Sequence, residues 1–194
     1  MTSIIILAAG ASTRLGRSKQ NLPYKDSTLL NHTIEVALDS ALGPVLVVVG
    51  ANQEEILPHI QKEQVEIIVN TEYAEGIASS IRAGIGFVQE HLKQCNDVIL
   101  MVCDQPHVDQ QLLKSLVNVK AATGKPLAAC VYKETVGVPA LFDKQFFSHL
   151  LSLNGEEGGK KILMQNIDSI ATVPFPLGEV DIDTDADADA LGTI

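Results

Sequence analysis

The chain has 194 residues, with 14 Lys and Arg against 24 Asp and Glu, a formal charge of −10. That length suits a single domain, residues 1–194, with its own core. The 46% hydrophobic content is that of a folded protein, and the negative balance argues against a nucleic-acid partner. Cys95, Cys103 and Cys130 are odd in number and form no C-x-x-C pair, so they read as buried reduced thiols rather than a disulfide framework or a zinc site. The opening run Ile4-Ile5-Ile6-Leu7-Ala8-Ala9 has no basic flank and is too short to span a bilayer. No membrane association and a reducing, cytoplasmic location are expected.

In chain order, Ile4 to Ala8 is a buried strand ending at Gly10, followed by a small-residue loop from Ala9 to Gly16. Thr28 to Leu42 is helical, with Gly43-Pro44 as its stop. Val45 to Val49 is a second strand. Glu54 to Gln64 reads as a helix interrupted by Pro58, and Val65 to Val69 as a third strand. Gly76 to Lys93 suits a long helix in which Gly84 and Gly86 ask for close packing or a ligand. Val98 to Val102 is a fourth strand running into Cys103-Asp104-Gln105-Pro106, and Asp109 to Ala122 is helical. Leu127 to Tyr132 and Val138 to Phe142 are strands, the second opened by Gly137. Asp143 to Leu153 is a helix, Asn154 to Gly159 a loop and Ile170 to Pro174 a last strand, before an acidic run from Asp181 to Asp189. Strands alternating with helices predict an α/β fold with a parallel central sheet covered on both faces. Its ligands belong at the carboxyl ends of the strands, where Ala8–Lys19 and Cys103–Pro106 fall.

The stretch Leu7-Ala8-Ala9-Gly10-Ala11-Ser12-Thr13-Arg14-Leu15-Gly16, then Lys19 and Leu22-Pro23, offers small residues that let backbone N–H groups approach phosphate oxygens. Arg14 and Lys19 can offset polyphosphate charge. An ordinary strand-to-helix turn with two surface cations fits equally. Gly10 and Gly16 are separated by five residues with no Gly-Lys-Ser/Thr after them, so this is not a Walker A loop, and G-x-G-x-x-G is absent. Asp104 ends an apolar strand and suits a hard cation such as Mg²⁺, which takes one or two carboxylates plus substrate phosphates. Asp183 or Asp181 is a candidate second ligand, and a turn role before Pro106 is the alternative for Asp104. The alternating Asp181, Asp183, Asp185, Asp187 and Asp189 do not form an EF-hand, because Ala186 and Gly192 stand where Gly and Glu are needed. Ser79 and Ser80 open a helix, where hydroxyls can read a base edge or merely cap. Arg82 reads as a surface residue. The five histidines show no metal spacing, and His107 beside the Asp104 block reads as a loop residue.

The pattern L-A-A-G-x-S-x-R-x-G-x-x-K with Leu-Pro after it resembles the signature of molybdenum cofactor nucleotidyltransferases. The resemblance continues through Asn70, Glu75-Gly76, Ser79-Ser80-Ile81-Arg82 and Gly84, then Cys103-Asp104-Gln105-Pro106, Gly137-Val138-Pro139-Ala140-Leu141-Phe142 and Asp181-Ile182-Asp183-Thr184. Five blocks in order cover nearly the whole chain. The resemblance implies a Rossmann-like nucleotidyltransferase fold with a mostly parallel sheet. It also implies Mg²⁺-dependent transfer of a nucleoside monophosphate to molybdopterin, with release of pyrophosphate. It assigns catalysis to Arg14, Lys19 and Asp104, the metal to Asp104 and Asp183, and nucleotide binding to Leu7, Ala8, Ala9, Gly10, Lys19, Asn70, Gly76, Ser79 and Ser80. Ala9 and the Cys-Asp-Gln-Pro block resemble the cytidylyl branch, so CTP is expected, with GTP the alternative. A molybdoenzyme or its chaperone is the implied recipient.

Some positions depart from the family pattern. Leu15 replaces a usual Met, Asn21 a usual Leu, Asp185 a usual Pro, and Asn154-Gly155-Glu156-Glu157-Gly158-Gly159 is more acidic than the usual loop, which touches on the acceptor. Transfer to another phosphorylated acceptor, such as a sugar phosphate, and a non-catalytic nucleotide- or cofactor-binding module are the rival readings.

Overall fold

A computed structural model describes residues 1–12, 15–60, 64–182 and 187. Strand β1 (Thr2–Ala8) is followed by a small antiparallel pair, β2 (Pro23–Tyr24) and β3 (Ser27–Thr28), and by helix α1 (Leu29–Asp39). The Thr28 hydroxyl caps α1 by accepting from the Asn31 N–H. Then come β4 (Val45–Val49), a short α2 (Gln53–Ile56), β5 (Glu66–Val69), α3 (Ile77–His91), β6 (Asp97–Val102) and α4 (Gln110–Thr123). Asp109 caps α4 through the Leu112 N–H at 2.7 Å. The chain continues through β7 (Leu127–Tyr132), β8 (Thr135–Asp143), α5 (Phe147–Leu151), α6 (Gly159–Gln165) and β9 (Ile170–Pro174).

Seven strands form one sheet in the order β5-β4-β1-β6-β8-β7-β9. All neighbours are parallel except β8, which runs antiparallel to both β6 and β7. The fold is thus the expected mostly parallel, helix-covered α/β sheet, with one strand reversed. The chain leaves β1 for β4 on one side and returns to β6 on the other. A crevice therefore opens between the carboxyl ends of β1 and β6, where α/β proteins hold ligands.

Successive strand residues point to opposite faces. Ile5, Leu7, Leu46, Val48, Val98 and Leu100 pack on one side with Ile81 and Ile85 of α3. Ile4, Ile6, Val47, Ile99 and Met101 pack on the other with Ile34, Leu113 and Leu116 of α1 and α4. Gly84 is what lets α3 settle so closely, because a Cβ there would stand 2.8 Å from Ile5 Cγ2. Asp97 and Asp143 sit opposite each other in the β6–β8 ladder. Lys120 neutralises both, at 2.9 and 3.0 Å, which removes a like-charge cross-strand clash.

Three predicted segments differ. The Glu54–Gln64 helix is one turn of α2, then a 3-10 turn over Leu57–His59, because Pro58 cannot continue the α-helical ladder. Its last residues, 61–63, lie outside the described residues. The second hairpin strand begins at Thr135 rather than Val138, so Gly137 lies inside it. The Asp143–Leu153 helix is a 3-10 turn and the short α5, and α6 follows where no element was delineated. Cys95, Cys103 and Cys130 are free and buried, as expected. No helix among the described residues is long and apolar enough to cross a membrane.

Candidate active site

A cavity of about 550 Å³ opens at the β1–β6 crevice. Leu7, Ala8, Ala9, Gly10 and Ala11 supply one wall and Val102, Cys103 and Asp104 the next. The opposite end is made by Tyr73, Ala74, Gly76, Ile77 and Ser80 with Glu156, and Lys19 and Gln20 close the first end. Loops at the ends of two adjacent parallel strands thus bring residues 85 positions apart into contact. Lys19 Nζ donates to Asp104 Oδ2 at 2.6 Å and to the Ile182 carbonyl at 3.4 Å. Both side chains of the pair are largely buried, at 15% and 21% exposure. Cation and carboxylate neutralise each other at the cavity wall.

Gln20 holds the loop that carries Gly10. Its Nε2 donates to the carbonyls of Ala8 (2.8 Å) and Gly10 (3.1 Å), while its Oε1 accepts from Ser18 Oγ at 2.8 Å. It is 1% exposed, so its buried amide needs protein acceptors and finds them in these two carbonyls. Sequence reasoning passed over it, since a buried Gln serving distant carbonyls has no local pattern. Tyr73 and Glu156 also escaped individual notice, although Tyr73 is the aromatic nearest the Gly76 block and Glu156 belongs to the loop flagged as acidic.

The nucleotide-binding candidates separate into two groups. Leu7, Ala8, Ala9, Gly10, Lys19, Gly76 and Ser80 line the cavity. Asn70 and Ser79 stand behind it. Asn70 Nδ2 donates to Ser79 Oγ (2.8 Å) and Ser80 Oγ (3.0 Å), and its Oδ1 accepts from the Glu72 N–H. Ser79 Oγ donates to the Gly76 carbonyl, so its hydroxyl is committed to capping. Gly76 has φ 122°, which a side chain would resist, and it turns the chain into α3. Arg14 and Asp183 lie outside the described residues. Asp181 adjoins Ile182, whose N–H donates to the Asp104 carbonyl at 3.1 Å, so the C-terminal segment is docked against the Asp104 loop. Gln105 reinforces this docking by donating to the Gly178 carbonyl at 2.9 Å.

Arg82 is not a simple surface residue. It pairs with Glu75 and donates to the Leu153 carbonyl at 2.8 Å. Glu75 in turn accepts from the Gly155 N–H. The hydrogen bond from Arg82, then that from Gly155, holds the Glu75 carboxyl below its ordinary value. This network ties the start of α3 to the 154–159 loop. Burial, then the nearby Asp104 charge, pushes the Cys103 thiol up to about 12 and keeps it protonated. His107 faces a separate hollow with Leu112 and Phe175, away from the cavity. Among the described residues no three His, Cys, Asp or Glu side chains cluster as metal ligands. A hard cation that takes most of its ligands from phosphates and water needs only one or two carboxylates, and Asp104 supplies one in the cavity.

Known proteins resemble this chain in sequence and in fold. A nicotine blue oxidoreductase of Paenarthrobacter nicotinovorans is 36% identical over 103 residues, covering 53% of this chain and 48% of that protein. The molybdenum cofactor cytidylyltransferase of Escherichia coli strain K12 is 35% identical over 88 residues, covering 45% and 46%. The match thus spans about half the length of each of these two relatives. A crystal structure of the Mycobacterium tuberculosis Rv0371c homologue from Mycobacterium sp. strain JC1 superposes with a TM-score of 0.85 at 25% identity, covering 99% of this chain and 96% of that one. Residues 4–170 match the MobA-like NTP transferase domain, and the chain belongs to that family.

Proposed function

We propose that the chain, acting as one domain in the cytoplasm, transfers CMP from CTP to the phosphate of a molybdopterin-type cofactor and releases pyrophosphate. The Lys19–Asp104 pair carries this reading. A cation and a carboxylate face each other at 2.6 Å across the β1–β6 crevice, beside a small-residue loop held open by Gln20. The acceptor phosphate is already an anion near neutral pH, so attack on the α-phosphorus needs orientation and charge neutralisation more than a strong base. Lys19 neutralises charge on the reacting phosphates, and the Ala9–Ala11 backbone holds the β- and γ-phosphates, with Arg14 assisting. Asp104, together with Asp183, would hold Mg²⁺, which would supply screening of the phosphate charge. Docking of Ile182 on Asp104 supports bringing the second carboxylate to the first. A molybdoenzyme or its chaperone would receive the product.

The test is pyrophosphate release with Mg²⁺ and molybdate-loaded molybdopterin, comparing CTP, GTP and ATP. Release with CTP alone is expected. Release with GTP instead keeps the chemistry and overturns the cytidylyl assignment. Release only with another phosphorylated acceptor overturns molybdopterin. Nucleotide binding without release overturns catalysis.

A further inference from the structure

The two ends of the cavity carry different charge. Lys19 and Asp104 cancel at one end. At the other, Glu156 faces the cavity with neither a hydrogen bond nor an ion pair among the described residues. Its Oε1 lies 2.9 Å from where a Cβ on Gly76 would stand, so the carboxylate covers the start of α3. The loop that presents it is held firmly. The Ala78 N–H donates to the Gly155 carbonyl at 3.0 Å, Gly155 N–H to Glu75, and Asn154 N–H to Glu157 Oε2 at 3.1 Å. Ser80 lines the same wall about one helical turn, ~5.4 Å, further along. Its Oγ accepts from Asn70, which leaves the hydroxyl proton for a ligand acceptor. The Tyr73 ring, 42% exposed, borders the same end.

A triphosphate is repelled by the unpaired Glu156 and not by the neutralised pair, where Lys19, the one cation among the described lining residues, can turn to it, so a nucleotide lies with its base at the Glu156 end. There an exposed aromatic ring offers a stacking surface, and the base edge meets Glu156 and Ser80. An ionised carboxylate only accepts hydrogen bonds. It therefore favours an amino group on the base and repels a carbonyl oxygen in the same place. We propose that Glu156 is a specificity-determining residue that reads the exocyclic amine of the nucleobase, selecting CTP over its keto counterpart UTP. This rests on the nucleotide reading above, and it gives the base, rather than the acceptor, the contact expected of the 154–159 loop.

The experiment is calorimetric titration of the full chain with CTP and with UTP, in Mg²⁺ and without acceptor. The unaltered protein is expected to favour CTP at least about tenfold, as a charge-assisted hydrogen bond implies. Glu156→Gln, whose amide can donate or accept, brings the two nucleotides to within roughly threefold. Glu156→Lys, which only donates, inverts the preference towards UTP. A purely structural role would weaken both nucleotides alike and invert nothing. An equal affinity of the unaltered protein for both nucleotides, or a ratio unchanged in the variants, overturns the inference and leaves the nucleotide reading standing. Binding of neither nucleotide overturns both.

Discussion

The β1–β6 end of the cavity and the α3 end are built on opposite plans. At the first, strand-terminal loops bring Lys19 to Asp104 across 85 positions, and the charged groups meet inside the cavity. At the second, the ion pair lies outside, in the Arg82–Glu75 contact that ties α3 to the 154–159 loop, and it leaves Glu156 facing in. On the function proposed above, the first plan places charge where phosphates react, and the second uses its ion pair to fix the loop and leaves one acceptor for recognition. The two ends are joined by α3 itself, which rests through Gly84 on Ile5 of β1.

Lys19→Ala and Asp104→Ala test the difference most directly. Each is expected to reduce turnover by roughly 10²–10³ while the thermal transition persists, since groups that stabilise reacting charge act mainly on rate. Full activity in either variant would remove that end from the chemistry. Gln20→Ala should do less to rate and more to the fold. It strips the buried Ala8 carbonyl and the Gly10 carbonyl of their donor, for a loss of about 1–3 kcal/mol in urea unfolding. A smaller pair of effects concerns the packing between the ends. Gly84→Ala drives a methyl against Ile5 and should cost about 1–3 kcal/mol. Gly86→Ala, which meets nothing within 4 Å, should gain about 0.5–1 kcal/mol from helix propensity. If both lose stability alike, close packing is not what the first glycine provides.

Arg82→Ala gives the smallest effect, and its pH dependence identifies it. Arg82 holds the folded-state Glu75 carboxyl below its ordinary value of 4.5. That favours the folded protein at pH above the ordinary value, and the advantage is lost as pH falls through the lowered one. The urea midpoints of the two proteins should therefore differ slightly near pH 7 and converge towards pH 3. A constant gap across that range would assign the loss to packing.

Most of the frame was legible in the sequence. Short β-branched runs marked β1, β4, β6 and β9, and small residues with Lys19 and Asp104 marked the crevice. The reversal of β8 was hidden in its connection. Lys133-Glu134 joins β7 to β8 in two residues, too few for a parallel crossover. Both adopt positive φ, 48° and 58°, a turn usually announced by Asn-Gly. With that signal missing, the sequence pattern starts the second strand at Val138 and does not show the hairpin. Helix α6 was masked by Gly158 and Gly159, which resemble loop, although Gly159 is there to pass under Phe142. Gln20, Tyr73 and Glu156 acquire their roles only from neighbours distant in sequence, so local spacing could not single them out.

The buried cysteines bear on how the protein answers chemical attack. Burial pushes the Cys130 thiol up to about 12, as it does with Cys103, and raises Cys95 as well. Alkylating agents and oxidants act on the thiolate, which the closed molecule withholds twice over, by steric cover and by protonation. Each sulfur can then react only in the moments when its part of the fold opens. Cys130 sits in β7, Cys103 at the cavity wall and Cys95 just ahead of β6, so the three thiols act as built-in clocks for the breathing of three different regions.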